Sequence, residues 1–164
     1  MERVAIVGIP GAGKSTFASQ LSEVTGLPIV HLDEYYNDET LGFQSDKEAW
    51  IKHANKFESE NQWIIDGNFG STIPNRFARA DKIFWFDMPT RVALKGIYLR
   101  RFDKQGRIGM PEGWKEKVDR QFLWYVLTYK YKHHSEIDHL IASNRQKTTR
   151  FTNHQQVELY LDQL

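Results

Sequence analysis

The stretch from Gly8 to Thr16, GIPGAGKST, combines glycines, a lysine and hydroxyl side chains at a spacing suited to phosphate. It fits the pattern G-x-x-x-x-G-K-[ST], with Gly8, Gly13, Lys14 and Ser15 at the defining positions. In this pattern backbone N–H groups converge on an anion, the lysine reaches the outer phosphates and the serine hydroxyl ligates Mg²⁺. The residues predicted to contact a nucleoside triphosphate are Gly8, Pro10, Gly11, Ala12, Gly13, Lys14, Ser15 and Thr16.

The sequence on either side of this loop favours the same interpretation. Residues 4–7 form a short apolar run typical of a buried strand, and Phe17, Leu21 and Val24 recur after the loop at helical spacing. A loop between a strand and a helix brings a bound anion to the helix N-terminus, where the helix dipole favours negative charge. The predicted ligand is therefore a nucleoside triphosphate with Mg²⁺.

The composition is that of a single soluble domain. The chain has 164 residues, of which 40% are hydrophobic and 26% charged, and it has no cysteine. The lack of cysteine excludes disulfides and thiolate zinc sites and fits a reducing compartment. No apolar run is long enough to span a membrane, and the N-terminus has no signal-like segment. We therefore expect one domain over residues 1–164 and a cytoplasmic location.

The net charge of +1 conceals an uneven distribution of charge. Residues 91–150 carry 14 Lys and Arg against 6 Asp and Glu, and the rest of the chain carries 8 against 15. A basic segment of this kind is found in nucleic-acid-binding proteins, in loops whose arginines close over phosphates, and on solvated helix faces. The charge alone leaves these three interpretations open.

Apolar runs alternate with helical patterns along the chain. Strands are predicted at residues 4–7, 28–32, 63–65, 82–86 and 147–151. Helices are predicted between them, including one that follows a polar loop at 34–44 and a capping box at 45–48, and a last one capped by Asn153. A short helix is expected at 73–80, and a long one from Trp114 carries a stripe interpreted as core packing. The alternation predicts an α/β fold in which helices cover both faces of a parallel sheet.

Three of the predicted strands end in an aspartate. Asp33, Asp66 and Asp87 follow strands two, three and four. Ligands bind at the carboxyl ends of the strands in parallel sheets, so these carboxylates are expected on the edge that carries the phosphate loop. Both Asp66 and Asp87 follow apolar runs of the kind that support the metal in phosphate-loop enzymes, and the sequence does not choose between them.

Taken together, GIPGAGKST, HLDEYY, WIIDGNF, IFWFDMP and YLRR resemble the adenylate-kinase-type P-loop kinases, and most closely the branch of DNA topology modulation proteins. The resemblance covers nearly the whole chain. It implies a three-layer P-loop NTPase fold with a five-stranded parallel sheet of order 2-3-1-4-5. It also implies ATP and Mg²⁺ as ligands, an acceptor region at about 34–60 and an arginine-bearing lid at about 100–113.

The resemblance also implies roles for individual residues. Lys14 and Ser15 match the phosphate and Mg²⁺ ligands, and Asp66 matches the aspartate that positions the metal through water. Arg100 matches a phosphate-binding arginine at the end of the helix before the lid, and Arg107 matches the arginine of the lid.

The chain departs from this pattern at two places. Adenylate kinases hold an arginine against the adenine one helical turn before Arg100, where this chain has Gly96. They also follow the D-G pair with Phe-Pro-Arg, where this chain has Asn68-Phe69-Gly70. Arg76 on the next predicted helix could substitute for this missing arginine, but it is interpreted as a surface residue. These differences argue against AMP as the acceptor.

The acceptor side is acidic and aromatic. Residues 33–70 contain only three basic lysine or arginine residues, Lys47, Lys52 and Lys56, all on one predicted helix. We therefore expect a small acceptor, either hydroxyl-bearing or a nucleotide, and favour a neutral or hydroxyl-bearing molecule over a nucleoside monophosphate. Asp33 is the candidate carboxylate that orients the hydroxyl or takes its proton. His31 either orients the acceptor or forms a local hydrogen bond.

Three classes of function fit these observations. The first is a small-molecule phosphotransferase, which the arginines and the acidic strand ends favour. The second is a nucleotide-dependent regulatory or binding protein with little kinase activity. The third is a protein that acts on nucleic acid through the basic segment.

Overall fold

The structure is a computed structural model, and it describes residues 1–100, 108, 119–132 and 134–164. Five parallel strands form one sheet of order β2-β3-β1-β4-β5. The strands are β1 (Arg3–Gly8), β2 (Ile29–His31), β3 (Trp63–Asp66), β4 (Lys82–Phe86) and β5 (Thr148–Phe151). The sheet has the predicted strand order and confirms the α/β fold with parallel strands.

Eight α-helices accompany the sheet in the described residues. They are α1 (Lys14–Thr25), α2 (Leu32–Asn37), α3 (Lys47–Ser59), α4 (Ile73–Arg79), α5 (Thr90–Arg100), α6 (Arg120–Lys132), α7 (His134–Ala142) and α8 (His154–Leu161). None of these helices is long and apolar enough to cross a lipid bilayer. Of the predicted lid at about 100–113, the structure describes only Arg100 and Ile108, and the other positions lie outside the described residues.

The three central strands are buried on both faces. Val4, Ala5, Ile6 and Val7 of β1 have no exposed surface, and β3 and β4 are similarly apolar. A strand covered by helices on both sides has no solvent face, which is why these strands are continuous apolar runs rather than alternating ones. On one face Phe17 of α1 packs at 4.8 to 5.6 Å from the rings of Phe84, Phe86 and Phe151.

Several helix ends follow from local sequence. Gly26 ends α1 in the left-handed conformation at φ 71°, and Asn153 begins α8 by accepting a hydrogen bond from Gln156 N–H, as predicted. The predicted capping box of α3 is wrong, because the helix begins one residue later. Asp46, not Ser45, is the cap and accepts from Ala49 N–H at 2.9 Å.

Two other expectations differ from the structure. The second strand ends at His31, and the predicted polar loop contains α2 and a short 3₁₀ helix at Glu39–Leu41. Burial of Leu32 turns the chain onto the core directly after the strand, so the helix begins there. Of the three apolar residues at helical spacing in α1, Phe17 and Leu21 are buried, whereas Val24 in the last turn is 56% exposed.

The register brings the carboxyl ends of four strands to one edge. His31 of β2 pairs with Asp66 of β3, Asp66 pairs with Ile6 of β1, and Gly8 of β1 pairs with Phe86 of β4. The glycine-rich loop between β1 and α1 therefore leaves the sheet beside the ends of β3 and β4. This edge carries the candidate site.

Candidate active site

The loop between β1 and α1 has the backbone conformation of an anion-binding turn. Gly8, Gly11 and Gly13 have φ values of 140°, 85° and 88°, which side-chain-bearing residues rarely adopt. A Cβ on Gly8 would lie 2.3 Å from the carbonyl oxygen of Phe86 in β4, so only glycine fits at this position at the end of β1. The first N–H groups of α1, beginning at Lys14, have no carbonyl partner within the helix. They point out of the helix N-terminus, where an anion is favoured.

Lys14 folds back over its own loop. Its Nζ donates to the carbonyl oxygens of Gly8 at 2.9 Å and Ile9 at 3.2 Å. These are neutral acceptors, and a phosphate is a stronger partner for an ammonium group because both are charged. Lys14 is therefore held at the loop in a position from which it can move to a phosphate.

Ser15 and Asp66 meet at the start of α1. The Ser15 hydroxyl donates to Asp66 Oδ2 at 2.7 Å, and His31 Nδ1 lies 3.3 Å from the same oxygen. Asp66 Oδ1 is buried and accepts no hydrogen bond within the described residues. Burial alone would raise the Asp66 pKa. The hydrogen bonds from His31 and Ser15 and the charge of Lys14 outweigh burial and hold the pKa below its usual value.

The structure distinguishes Asp66 from Asp87. Asp87 is buried at the end of β4, where it forms ion pairs with Lys130 of α6 at 2.9 Å and with Arg150 of β5. Burial favours a raised Asp87 pKa, but the hydrogen bonds and charges of these two cations lower it. Asp87 thus links the end of β4 to α6 and β5, whereas Asp66 lies against the phosphate-loop serine.

Asp33 lies on the predicted edge but not at a strand end. It is the second residue of α2, two positions beyond His31, and it is half-buried. Tyr125 of α6 has a pKa raised by burial and, to a lesser degree, by the negative charge of Asp33. The Asp33 carboxylate is therefore close enough to α6 for its charge to act on the Tyr125 hydroxyl.

Helix α5 packs directly on the phosphate loop. A Cβ on Gly96 would lie 2.2 Å from the carbonyl oxygen of Gly11, and a Cβ on Gly11 would lie 2.3 Å from the carbonyl oxygen of Ala93. The two backbones are in contact, so no arginine fits at position 96. Arg100 is the half-buried last residue of α5, one turn beyond this contact. Arg107 lies outside the described residues.

Aromatic side chains pack together in and beside the region at 34–60 that the sequence predicts to bind the acceptor. Trp50 of α3 contacts Tyr36 of α2, Phe43, and Phe69 after β3, with ring centroids 4.7 to 5.6 Å apart. His53, one turn along α3, packs on Phe43 at 4.7 Å, and burial together with Lys56 lowers its pKa. Lys47, Lys52 and Lys56 are all exposed.

Arg76 is not a surface residue, contrary to expectation. Its side chain is fully buried, and its guanidinium donates to Gly67 O and Thr72 Oγ1, both at 2.6 Å, and to Glu58 Oε1 at 3.3 Å. The short helix after the D-G-N turn packs inward, which brings the arginine under that turn. It is committed to the protein interior and does not substitute for an acceptor-binding arginine.

Asn68 was noted in the sequence only as a departure from the adenylate kinase pattern. Its side-chain amide accepts from Gly8 N–H at 2.9 Å and donates to the Gly8 carbonyl at 2.7 Å. The polar side chain directly after the Asp-Gly pair was a visible signal. Its partner, 60 residues away, depends on the pairing of β1 with β3.

No protein-family model matches the chain, and a search of curated proteins finds no relative. Among solved structures, a shikimate kinase from Bacteroides thetaiotaomicron matches with a TM-score of 0.62 and 16% identity, covering 99% of this chain and 95% of that one. A deoxyadenosine kinase from M. mycoides with bound dATP matches with a TM-score of 0.57 and 16% identity, covering 99% and 98%. A shikimate kinase from Aquifex aeolicus matches with 0.51 and 19%, covering 82% of each chain. This chain therefore has the fold of P-loop kinases that act on small molecules. The resemblance to the topology modulation branch stays a prediction.

Proposed function

We propose that this protein is an ATP-dependent phosphotransferase that moves the γ-phosphoryl group to the hydroxyl of a small neutral acceptor. The observation that carries the proposal is the contact of Lys14, Ser15 and Asp66 around one glycine-rich loop on the fold of a small-molecule kinase. A phosphate loop alone would also suit a nucleotide-binding regulator. The carboxylates on the same edge of the sheet favour a transferase.

The residues present fit a magnesium ion. Mg²⁺ takes oxygen ligands and is held in kinases by few protein groups together with phosphates and water. Ser15 Oγ supplies one such oxygen, and the unpaired, buried Asp66 Oδ1 is an acceptor that a metal-bound water would satisfy. Bound there with ATP, Mg²⁺ would neutralise charge that develops on the β- and γ-phosphates.

The chain's own groups would carry the rest of the reaction. Lys14 and the first N–H groups of α1 bind the phosphates and offset their charge. The acceptor oxygen bonds to the γ-phosphorus as the bond from this phosphorus to the β,γ-bridging oxygen breaks, and ADP leaves. Asp33 takes the hydroxyl proton, and Arg100 and Arg107 stabilise the transferring group.

The positions of the cations in the predicted acceptor region favour a neutral acceptor, because these cations are exposed on α3 or already paired. In residues 33–70, all of which the structure describes, the three lysines are exposed on α3. Arg76, the next cation along the chain, is buried against Glu58. An acceptor phosphate or carboxylate would therefore find aromatic rings and carboxylates here rather than a cationic partner.

Asp33→Asn tests the proposed chemistry. Once a panel of neutral alcohols, nucleosides, carboxylated sugars and nucleoside monophosphates has identified an acceptor, the variant should transfer about 10²- to 10⁴-fold more slowly. Its affinity for ATP should stay close to that of the parent, because the substitution keeps the size of the side chain and removes only its charge. Phosphoryl transfer is measured by ADP release and by mass of the product.

Asp38→Asn is the matched control, since Asp38 caps the exposed 3₁₀ helix at Glu39–Leu41 and should leave transfer unchanged. A parent that phosphorylates only the charged acceptors, or an Asp33→Asn variant with full transfer, would overturn the assignment. Normal transfer with a lowered melting temperature would give Asp33 a structural role alone.

A further inference from the structure

The backbone ladder between β1 and β3 ends at Ile6, two residues before the phosphate loop begins at Gly8. Its last paired residues are Ile6 and Asp66, and Gly67 N–H donates to the Ile6 carbonyl at 3.3 Å. At Gly67 the chain turns away with φ 144°, and the Gly67 carbonyl accepts from the buried Arg76 instead of from β1. Gly8, the first glycine of the loop, is thus left beyond the paired backbone of β3.

The Asn68 side chain takes the place of the missing backbone. Its Oδ1 accepts from Gly8 N–H at 2.9 Å and its Nδ2 donates to Gly8 O at 2.7 Å. A side-chain amide has the same donor and acceptor as a peptide group, so it extends the ladder by one peptide on the side of β3. On the other side, Ile9 N–H donates to Phe86 O of β4 at 3.2 Å. The start of the loop is therefore held from both neighbouring strands.

Asn68 and Lys14 share one acceptor. Lys14 Nζ donates to the same Gly8 carbonyl at 2.9 Å. If Lys14 moves to a phosphate, that hydrogen bond is lost, but the Asn68 amide still satisfies the carbonyl and holds the peptide in place. Without this amide, Lys14 would be the one side-chain donor to Gly8 O within the described residues. When Lys14 moved to a phosphate, the Gly8 carbonyl would lose its hydrogen bond, which is costly for a carbonyl shielded from water.

We propose that Asn68 is a positioning residue for nucleotide binding, which fixes the first peptide of the phosphate loop and releases Lys14 to bind phosphate. This inference rests on the proposed function and adds a residue from the acceptor-side strand to it. The end of β3 and the turn after it would then support the phosphate loop at two points, because Asp66 contacts Ser15 and Asn68 contacts Gly8.

Two substitutions test the proposal through the dissociation constant of Mg-ATP, measured by calorimetric titration of the full chain. Asn68→Ala removes both hydrogen bonds and should weaken binding about 10-fold, the effect of losing one to two net hydrogen bonds. Asn68→Asp keeps the acceptor for Gly8 N–H but cannot donate to Gly8 O. Its carboxylate would also lie beside Lys14, since both side chains reach the same oxygen, and an ion pair would hold the lysine away from phosphate. We therefore expect Asn68→Asp to bind Mg-ATP more weakly than Asn68→Ala.

The affinity of folded Asn68→Ala separates positioning from a structural role. If the side chain only stabilises the turn, Asn68→Ala lowers the melting temperature, but the folded variant binds Mg-ATP as the parent does. The nearly isosteric Asn68→Asp should fold even if the alanine variant does not, and an unchanged Mg-ATP affinity in it would likewise overturn the proposal. Asn75→Ala is the matched control, because it removes an amide that donates to Glu58 at 2.6 Å, away from the loop. It should lower stability and leave Mg-ATP affinity unchanged.

The same titrations distinguish failure of this inference from failure of the proposed function. If the parent binds Mg-ATP and Lys14→Ala does not, while folded Asn68→Ala (or Asn68→Asp if the alanine variant does not fold) binds as the parent does, the inference about Asn68 is overturned and the nucleotide site stands. If the parent itself binds no Mg-ATP, the proposed function fails, and the inference fails with it.

Discussion

The Arg76 guanidinium connects three parts of the acceptor-side structure. It donates to Glu58 of α3, to Thr72 before α4 and to the Gly67 carbonyl of the turn after β3, and neither Arg76 nor Glu58 has exposed surface. A buried ion pair of this kind adds little stability compared with an apolar pair of the same volume. Removing one partner is costly because the other charge is left without compensation.

Arg76→Met should therefore lower the free energy of unfolding by about 3 to 5 kcal/mol, because the Glu58 carboxylate then stays buried without its cation. The double variant Arg76→Met with Glu58→Met should recover most of this loss. Denaturant unfolding of the parent and both variants measures the effect.

Arg79→Met provides the comparison, since Arg79 lies one turn along the same helix but is half-exposed and donates only to the Ser59 carbonyl at 3.1 Å among its hydrogen bonds in the described residues. It should cost less than about 1 kcal/mol. Equal losses for Arg76→Met and Arg79→Met would contradict the account of a buried, essential ion pair.

Residues with a local signature were predictable from sequence, and those defined by distant partners were not. The phosphate loop follows from the spacing of Gly8, Gly13 and Lys14 alone. The choice between Asp66 and Asp87 required the positions of α1, α6 and β5, which decide that one carboxylate contacts Ser15 and the other contacts Lys130. The burial of Arg76 likewise depends on how α4 packs against α3.

Among the elements, α5 and the phosphate loop are in direct backbone contact. Their backbones approach so closely at Gly96 and Gly11 that a methyl group at either position would overlap a carbonyl oxygen. The departure at position 96 from the adenylate kinase pattern therefore has a steric reason. Close packing of α5 on the loop leaves no space for a side chain at position 96.

Gly96→Ala should destabilise the protein and weaken Mg-ATP binding by about 10-fold or more, because α5 must shift away from the loop to admit the methyl group. Helix propensity alone predicts the opposite, a gain of about 1 kcal/mol for alanine over glycine inside a helix. Thermal unfolding and calorimetric titration measure the two effects.

Gly70→Ala is the control, since its φ is not in the left-handed region and a Cβ there would meet nothing within 4 Å. It should change neither quantity. A Gly96→Ala variant that is more stable than the parent and binds Mg-ATP normally would show that the contact is looser than the structure has it.

Periodicity located most elements but not all of their ends. The sheet could be predicted because its central strands are apolar runs separated by helical patterns. The helix α2 was missed because its six residues, LDEYYN, are mostly polar and too few to show a helical period. What begins it is the burial of Leu32, a tertiary effect. Likewise β5 begins at Thr148, because the backbone of Lys147 belongs to a 3₁₀ helix at Arg145–Lys147, where its N–H donates to Asn144 O at 3.2 Å.

At the scale of the whole molecule, several cations of the basic segment at 91–150 are paired with other groups of the protein. Lys130 and Arg150 pair with Asp87. Lys147 donates to the carbonyl of Phe77 in α4 and to that of Ala80 directly after it. Cations paired in this way are less available to a polyanion than the excess of basic residues at 91–150 suggests. The structure thus gives part of that charge a structural role and favours a small-molecule kinase over a protein that binds nucleic acid.

The loop from Gly8 to Thr16 is expected to bind a nucleoside triphosphate through Lys14 and the start of α1, and the proposed function depends on this binding. Calorimetric titration of Mg-ATP into the parent, Lys14→Ala and Lys52→Ala tests it directly. Lys52 is an exposed lysine of α3 and serves as the control. Lys14→Ala should bind at least about 100-fold more weakly, because a charge-assisted contact to phosphate is lost, while Lys52→Ala should bind as the parent does. Unchanged Mg-ATP affinity in Lys14→Ala, or no binding by the parent, would contradict the central claim.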